Sequence, residues 1–216
     1  MNYKHALTSP LFQVVSKSAN ELGVDCYVVG GFVRDFVLER GREKDIDIVA
    51  IGSGIELAKR VAKNLPNTPK VQIFKTYGTA MIRYEGIELE FVGARKESYN
   101  EDSRNPVVED GTLEEDQNRR DFTINAMSLG ADGVLHDYFG GRDDLARGRV
   151  RFVGDPATRL AEDYLRLLRF FRFQARYGKG APDAAALHAI HEAIPGLARL
   201  SVERIWMEIK RILMVA

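Results

Sequence analysis

A single cysteine among 216 residues leaves no means of building an internal disulfide framework or a cysteine-cluster metal site. Cys26 sits in the apolar run Asp-Cys-Tyr-Val-Val-Gly-Gly, and such sparing use of cysteine fits a reducing compartment, read here as the cytoplasm. No apolar stretch approaches the ~18 residues of a membrane span. The start, Met-Asn-Tyr-Lys-His-Ala-Leu-Thr-Ser-Pro, lacks a charged segment followed by an apolar one, so a soluble, non-exported chain is expected. Net charge is absent too: 31 Lys and Arg offset 31 Asp and Glu, and overall charge gives no pointer to nucleic acid. A hydrophobic content of 45% excludes wholesale disorder, and the length suits one domain with a smaller appendage.

The charge is unevenly spread. Glu97 to Asn118 is net −7, read as a long acidic surface loop, whereas Arg159 to Lys179 is net +4, on what reads as one helix able to face a polyanion. Solvated surface is the plain alternative for both.

Ser9 to Gly23 has helical spacing closed by a glycine. Asp25 to Val29 reads as a strand running through Gly30-Gly31 into a helix over Phe32 to Arg40 that stops at Gly41. Asp45 to Ile51 alternates as a half-buried strand. Ile55 to Leu65 reads as an amphipathic helix, and Val71 to Phe74, Thr79 to Tyr84 and Ile87 to Val92 as strands, the last two joined by a tight turn at Glu85-Gly86. Thr123 to Leu129 reads as helical. Beyond Pro156 strand signals stop, and helices are expected over Thr158 to Tyr177 and over Val202 to Met214, the latter opened by Ser201. The expected fold class is α+β, a sheet domain over 1–150 followed by a helical segment over 151–216.

Asp45 and Asp47 fall on one face of their strand. Paired carboxylates repel unless a cation neutralises them, and hard oxygen ligands suit Mg²⁺, which binds through a few carboxylates plus substrate phosphates. Glu90, on a face shared with Glu88 and opposite Leu89 and Phe91, is the candidate third ligand or the carboxylate that orients an attacking hydroxyl. Solvated acids, on an edge strand in the case of the glutamates, are the bland alternative. Gly30-Gly31, between strand and helix, offers backbone N–H groups to phosphate, with Arg34 on the first helical turn. A dinucleotide fold would need Gly-x-Gly-x-x-Gly, and this turn lacks it. On the basic helix, Glu162, Arg166, Arg169, Arg172 or Phe173, and Arg176 share a stripe, while Leu160, Tyr164, Leu167, Phe171 and Ala175 form a buried one. Asp163 and Arg166 would there offer an acceptor and a donor to one base edge, accepting cytosine and adenine and rejecting uracil and guanine. A salt-bridged helix face is the alternative.

Six segments in order carry a resemblance: Tyr27-Val-Val-Gly-Gly-Phe-Val-Arg-Asp35; Asp45-Ile-Asp47; Glu90 to Arg95 with Glu97 and Tyr99; Arg119-Arg-Asp-Phe-Thr-Ile-Asn-Ala-Met127; Asp137 through Gly140-Gly141 to Asp144-Leu145; and Glu162-Asp163 to Arg166. Together they resemble the tRNA nucleotidyltransferase and poly(A) polymerase family, specifically the class II CCA-adding enzymes. The resemblance implies a polymerase-β-like head and a helical neck that reads the incoming base. It implies Mg²⁺ on Asp45 and Asp47, triphosphate contacts near Gly31 and Arg34, and ribose contacts from Arg120 and Asp121. It further implies base selection by Asp163 and Arg166, with Arg169 and Arg172 near the phosphates. ATP, CTP and a tRNA 3′ end are the implied partners. Members of the family continue past the neck into domains that hold tRNA, so the chain reads as the head and neck portion of a longer protein. The Asp102-Ser103-Arg104 segment resembles the flexible loop of enzymes that add the terminal A, which favours full CCA addition. Poly(A) synthesis or A addition is the alternative within the family, a non-catalytic RNA-binding module the alternative outside catalysis, and a small-molecule nucleotidyltransferase is disfavoured by the Arg120-Asp121 and Asp163/Arg166 motifs. His136-Asp137 falls inside a family motif and is not read as a metal site, and His188 and His191 read as ordinary helix residues.

Overall fold

Ser9 and Gly23 bracket the first helix as the spacing requires. In the computed structural model, which describes residues 3–40, 44–98 and 107–214 and only the backbone of 96–98 and 107–110, helix α1 spans Pro10–Leu22. Ser9 Oγ accepts a hydrogen bond from the Leu11 amide, and Gly23 turns left-handed at φ 66° to close the last turn, a conformation with no Cβ penalty for glycine. The chain forms two compact units, Met1–Arg119 with Met127–Tyr138 and Arg120–Ala126 with Phe139–Ala216.

The first unit is built on a mixed sheet of seven strands, β1 (Cys26–Val29), β2 (Asp45–Ala50), β3 (Val71–Phe74), β4 (Thr79–Tyr84), β5 (Ile87–Gly93), β8 (Ser128–Gly130) and β9 (Leu135–His136), in the order β3-β4-β5-β2-β1-β8-β9. This is the α+β arrangement expected. Helix α3 (Gly54–Asn64) follows β2, so the chain returns to β5 from the far side and pairs it parallel to β2; the other pairings of this sheet are antiparallel. Strand period two divides the residues by face. Ile46, Ile48, Ile82, Leu89 and Phe91 are at most 3% exposed and pack beneath α1 and α3, which buries Leu57, Ala58, Val61 and Ala62. Asp45, Asp47, Glu88 and Glu90 lie on the opposite face. The Glu85-Gly86 turn has φ of 50° and 77°, the positive pair of a two-residue hairpin.

Several expectations are corrected here. Helix α2 spans Gly31–Val37 and ends before Arg40, and Gly41 lies outside the described residues. The acidic segment is not one loop: β6 (Arg95–Ser98) pairs with β7 (Val107–Asp110), and α4 (Leu113–Asn118) follows. Thr112 and Glu115 cap α4 reciprocally, Glu115 N donating to Thr112 Oγ1 at 3.2 Å and Thr112 N to Glu115 Oε2 at 2.9 Å, a local signal masked by the charge run. Tyr99 and Asp102-Ser103-Arg104 lie outside the described residues. Thr123 to Leu129 is not a helix but a 3₁₀ turn, Thr123–Asn125, followed by β8, because Ser128 to Gly130 pair with Val29 to Tyr27 of β1; cross-strand pairing overrides local propensity. Glu88 and Glu90 are on an interior strand, since β5 lies between β4 and β2.

The second unit is helical: α5 (Gly141–Arg147), α6 (Pro156–Glu162), α7 (Leu165–Tyr177), α8 (Ala184–Ala193) and α9 (Val202–Leu213). Helix α5 had no counterpart in the sequence reading; His188 and His191 lie on α8, as the ordinary helix residues expected. The helix expected over Thr158 to Tyr177 is broken. Asp163 is extended (φ −154°, ψ 104°), and its Oδ1 accepts from Leu165 N at 3.1 Å, which terminates α6 and starts α7. The restart shifts the helical phase, so the buried stripe of α7 is Leu167, Phe170, Phe173 and Tyr177, whereas Phe171 is 44% exposed and Ala175 is exposed. Phe122, Phe152, Phe170 and Phe173 cluster, with ring centroids 5.0–6.2 Å apart for the pairs that Phe122 makes.

At the start of α3 a Cβ added to Gly54 would lie 2.6 Å from the Val92 carbonyl carbon and 2.7 Å from its Cα, backbone that cannot yield without moving β5. Gly54→Ala should therefore lower stability by about 1–3 kcal/mol, read by chemical denaturation, despite alanine's better helix propensity; an unchanged or raised midpoint would contradict this packing.

Candidate active site

Parallel pairing of β2 and β5 sets Asp47 opposite Glu90 and Asp45 opposite Glu88, on strands whose spacing is about 4.8 Å. Asp45 and Glu90 are exposed and Asp47 half-buried. Glu88 is engaged by Arg83 of β4, whose Nε donates at 2.9 Å. Partial burial of the Glu90 carboxyl, then the charges of Asp47 and Glu88, push it above the ordinary glutamate value, against a smaller opposing pull from Arg95. The carboxylates thus repel one another, as a cation-binding group must before its cation arrives.

Among the described residues, no group of three or more His, Cys, Asp or Glu is gathered as a ready-made metal cage. The donor set nevertheless fits a hard divalent cation held by one or two carboxylates and completed by substrate phosphates and water.

Gly30 adopts φ 71° and Gly31 opens α2. Arg34 is 5% exposed and Asp35 3%. The Arg34 guanidinium is bidentate to the neighbouring carboxylate, Nε to Oδ1 and Nη2 to Oδ2, both at 2.8 Å. Sequence reading gave Asp35 no role, although the adjacency of the two charges was visible; only burial shows that they form a pair.

In the helical unit, Asp121 is the centre of a second cluster. Its Oδ1 accepts from the Phe122 amide at 2.8 Å and Asn125 Nδ2 at 3.0 Å, and its Oδ2 from Arg169 Nε at 2.7 Å. Burial alone would raise this carboxyl, but the Arg169 charge and these hydrogen bonds outweigh burial and hold it below the ordinary aspartate value. Arg169 and Arg172 lie over the Phe173 ring, at 5.4 and 4.7 Å from its centroid. Arg172 bonds Glu208 of α9, which is 1% exposed. Arg120 is half-buried beside this cluster in sequence.

Asp163 and Arg166 are brought close along the chain, yet their side chains engage different partners. Asp163 Oδ2 accepts from Arg204 Nη2 at 2.8 Å, while Arg166 Nη1 donates to the Arg159 carbonyl at 2.9 Å and to Glu162. Arg204 and Glu208 were missed as site residues. Glu208 had a legible signal: it falls on the helical face of Ile205 and Ile212, where a carboxylate needs a partner.

A model of the poly(A) polymerase head domain matches residues 26–151. The mitochondrial CCA tRNA nucleotidyltransferase 1 of Danio rerio is 37% identical over 217 residues, covering 94% of this chain and 46% of that protein. The CCA-adding enzyme of Geobacillus sp. (strain WCH70) is 38% identical over 201 residues, covering 92% and 48%. The solved Thermotoga maritima CCA-adding enzyme complexed with tRNA superposes with a TM-score of 0.83 at 30% identity over 99% of this chain and 50% of that one. A tRNA nucleotidyltransferase complexed with a primer tRNA and an incoming ATP analog gives 0.78 at 33% identity, over 93% and 58%. The chain spans about half the length of the curated relatives it matches. The sheet is that of their polymerase-β-like head. Among the described residues no helix is long and apolar enough to cross a membrane.

An aspartate held below its ordinary value stabilises the fold above about pH 4, the unfolded value, and that contribution is lost as the pH falls through the lowered one. The melting-temperature gap between wild type and Asp121→Asn should therefore be largest near neutrality and close as the pH drops below about 4. A gap independent of pH would remove the ion pair as its cause.

Proposed function

The chain belongs to the tRNA nucleotidyltransferase and poly(A) polymerase family, and on that premise we propose that it transfers CMP and AMP from CTP and ATP to the 3′ end of tRNA, completing CCA. The observation that carries this reading is the carboxylate row of β2 and β5, with Asp47 beside Glu90 on the open face of the sheet. The division of labour is a nucleotidyltransferase head over 1–150 and a base-reading neck over 151–216, acting in the cytoplasm.

Asp45 and Asp47 would hold Mg²⁺, which when bound supplies neutralisation of the triphosphate and activation of the RNA 3′-hydroxyl. Glu90, opposite Asp47 on the neighbouring strand, orients that hydroxyl as a hydrogen-bond acceptor. The 3′-oxygen then attacks the α-phosphorus and pyrophosphate leaves. Gly31, at the start of α2, offers its amide to the triphosphate, whereas the Gly30 amide donates to the Met127 carbonyl at 3.3 Å and Arg34, expected beside the triphosphate, is buried and paired with Asp35. Arg120 and Asp121 contact the ribose, and Asp121 also fixes the direction of Arg169, which with Arg172 serves the phosphates. Asp163 and Arg166 read the base. Each has a polar partner, Arg204 and Glu162 respectively, so base reading exchanges those partners for the base edge.

The family model, named for poly(A) polymerase, favours one second reading, A addition or poly(A) synthesis on the same head. Labelled CTP and ATP offered with tRNA lacking its CCA end separate the two: CCA addition gives a product three nucleotides longer that requires CTP, whereas poly(A) synthesis gives an A ladder without it. Asp47→Ala should lower transfer at least about a thousandfold, the scale of losing transition-state charge stabilisation, with the thermal midpoint kept; full activity would refute the cation assignment. Asp163→Ala should narrow the preference for CTP and ATP over UTP and GTP in calorimetric titration, a ratio that the loss of its helix-capping bond leaves untouched. An unchanged ratio would refute base reading by this residue.

A further inference from the structure

The face that carries the carboxylates continues past them. Antiparallel register carries it from Glu90 to Met81 to Gln72 and from Val92 to Thr79 to Phe74, so Phe74 shares that face at the outer strand of the sheet. Strand spacing puts it about 10 Å across and about 7 Å along from Glu90. Phe74 is 43% exposed and Tyr77, in the 3₁₀ turn Lys75–Tyr77 that follows, is 68% exposed. Large aromatics held in water at the end of a catalytic sheet contribute little to the core. The charge around them has one sign: from Leu65 to Tyr84 the chain holds Lys70, Lys75 and Arg83 and no acid. A fourth cation is close, since a Cβ on Gly78 would lie 3.3 Å from Arg95 Nη2.

We propose that Phe74 and Tyr77, with Lys75 and Arg95 beside them, form a stacking platform for the unpaired 3′-terminal nucleotides of the acceptor RNA. Aromatic rings stack on any base, and interleaved cations neutralise the backbone without reading sequence. An acceptor strand laid from this outer strand across β4 would bring its 3′-hydroxyl toward Glu90, whereas its phosphates would be repelled by the carboxylates themselves. A protein strand pairing with the edge of β3 is less suited: β3 has four residues and is flanked by Lys70 and Lys75, the means by which sheet edges discourage such pairing. The platform deepens the proposed RNA transfer reaction and rests on it for the identity of the acceptor.

The test uses the 216-residue chain with a fluorescein-labelled single-stranded RNA octamer, and the transfer assay with tRNA lacking its CCA end. Phe74→Ala and Tyr77→Ala should each weaken RNA binding roughly fivefold to a hundredfold, the range for losing one stacked base, and raise the KM for RNA by a similar factor. The affinity for CTP and ATP should stay at the wild-type value. Lys75→Ala should reduce the slope of log K against log salt by about 0.7, one released phosphate contact on a single strand. Phe74→Leu, which keeps an apolar side chain but no ring face, should lose binding as Phe74→Ala does, excluding misfolding as the cause. Wild-type RNA affinity in the Phe74→Ala/Tyr77→Ala double variant would overturn the platform while leaving the transfer reaction standing, as would a double variant altered only in self-association. Failure of the unsubstituted chain to bind the octamer would overturn it as well. Ring-dependent RNA binding without CTP or ATP binding would keep the platform and remove the transfer reading.

Discussion

Asp47 and Glu90 are held side by side although their charges repel, and the parallel pairing of β2 with β5 is what imposes it. The strands have no freedom to relieve the repulsion. Their other faces carry Ile46, Ile48, Leu89 and Phe91, all at most 3% exposed, and a slip of one residue would turn those side chains to water and the acids into the core. Burial on one face therefore sustains an unfavourable charge arrangement on the other. Gly54 belongs to the same constraint, because α3 covers the apolar face only by letting its first turn touch the backbone of Val92.

The helical unit uses a different device. Its arginines are directed by carboxylate acceptors rather than spread over a solvated face: buried Asp121 holds Arg169, buried Glu208 holds Arg172, and half-buried Glu162 holds Arg166. Phe173 lies beneath two of these guanidinium groups. A cation fixed in this way loses little freedom when it meets a phosphate or a base, which is what recognition by a rigid surface requires. Asp163 and Arg166 are fixed in the same way by separate partners, Arg204 for the first and Glu162 with the Arg159 carbonyl for the second.

Much of this was legible in order along the chain. The Gly23 cap, the Asp-Ile-Asp strand and the Glu85-Gly86 turn are local signals, decided by residues within a few positions of one another, and each stands where the spacing placed it. The errors have one origin. The charge run hid the Thr112/Glu115 cap, Ser128 to Gly130 became a strand because β1 lies beside it, and the break at Asp163 was invisible to a periodicity that continues through it. In each case a competing interaction, a cap or a distant strand, outweighed the average over the window.

By itself the sequence determined which residues are able to act: acids alternating on a strand, glycines at a turn, arginines along a helix, because side-chain chemistry and short-range periodicity are written in neighbouring residues. Tertiary structure alone decided which of them meet. That Glu90 lies beside Asp47, that Arg34 is closed onto Asp35 in the interior, that Arg204 and Glu208 enter the arginine cluster, and that Phe74 shares the face of the carboxylates are outcomes of strand register and helix packing. Those are fixed by burial of apolar surface between residues far apart in the chain, which no local pattern can specify.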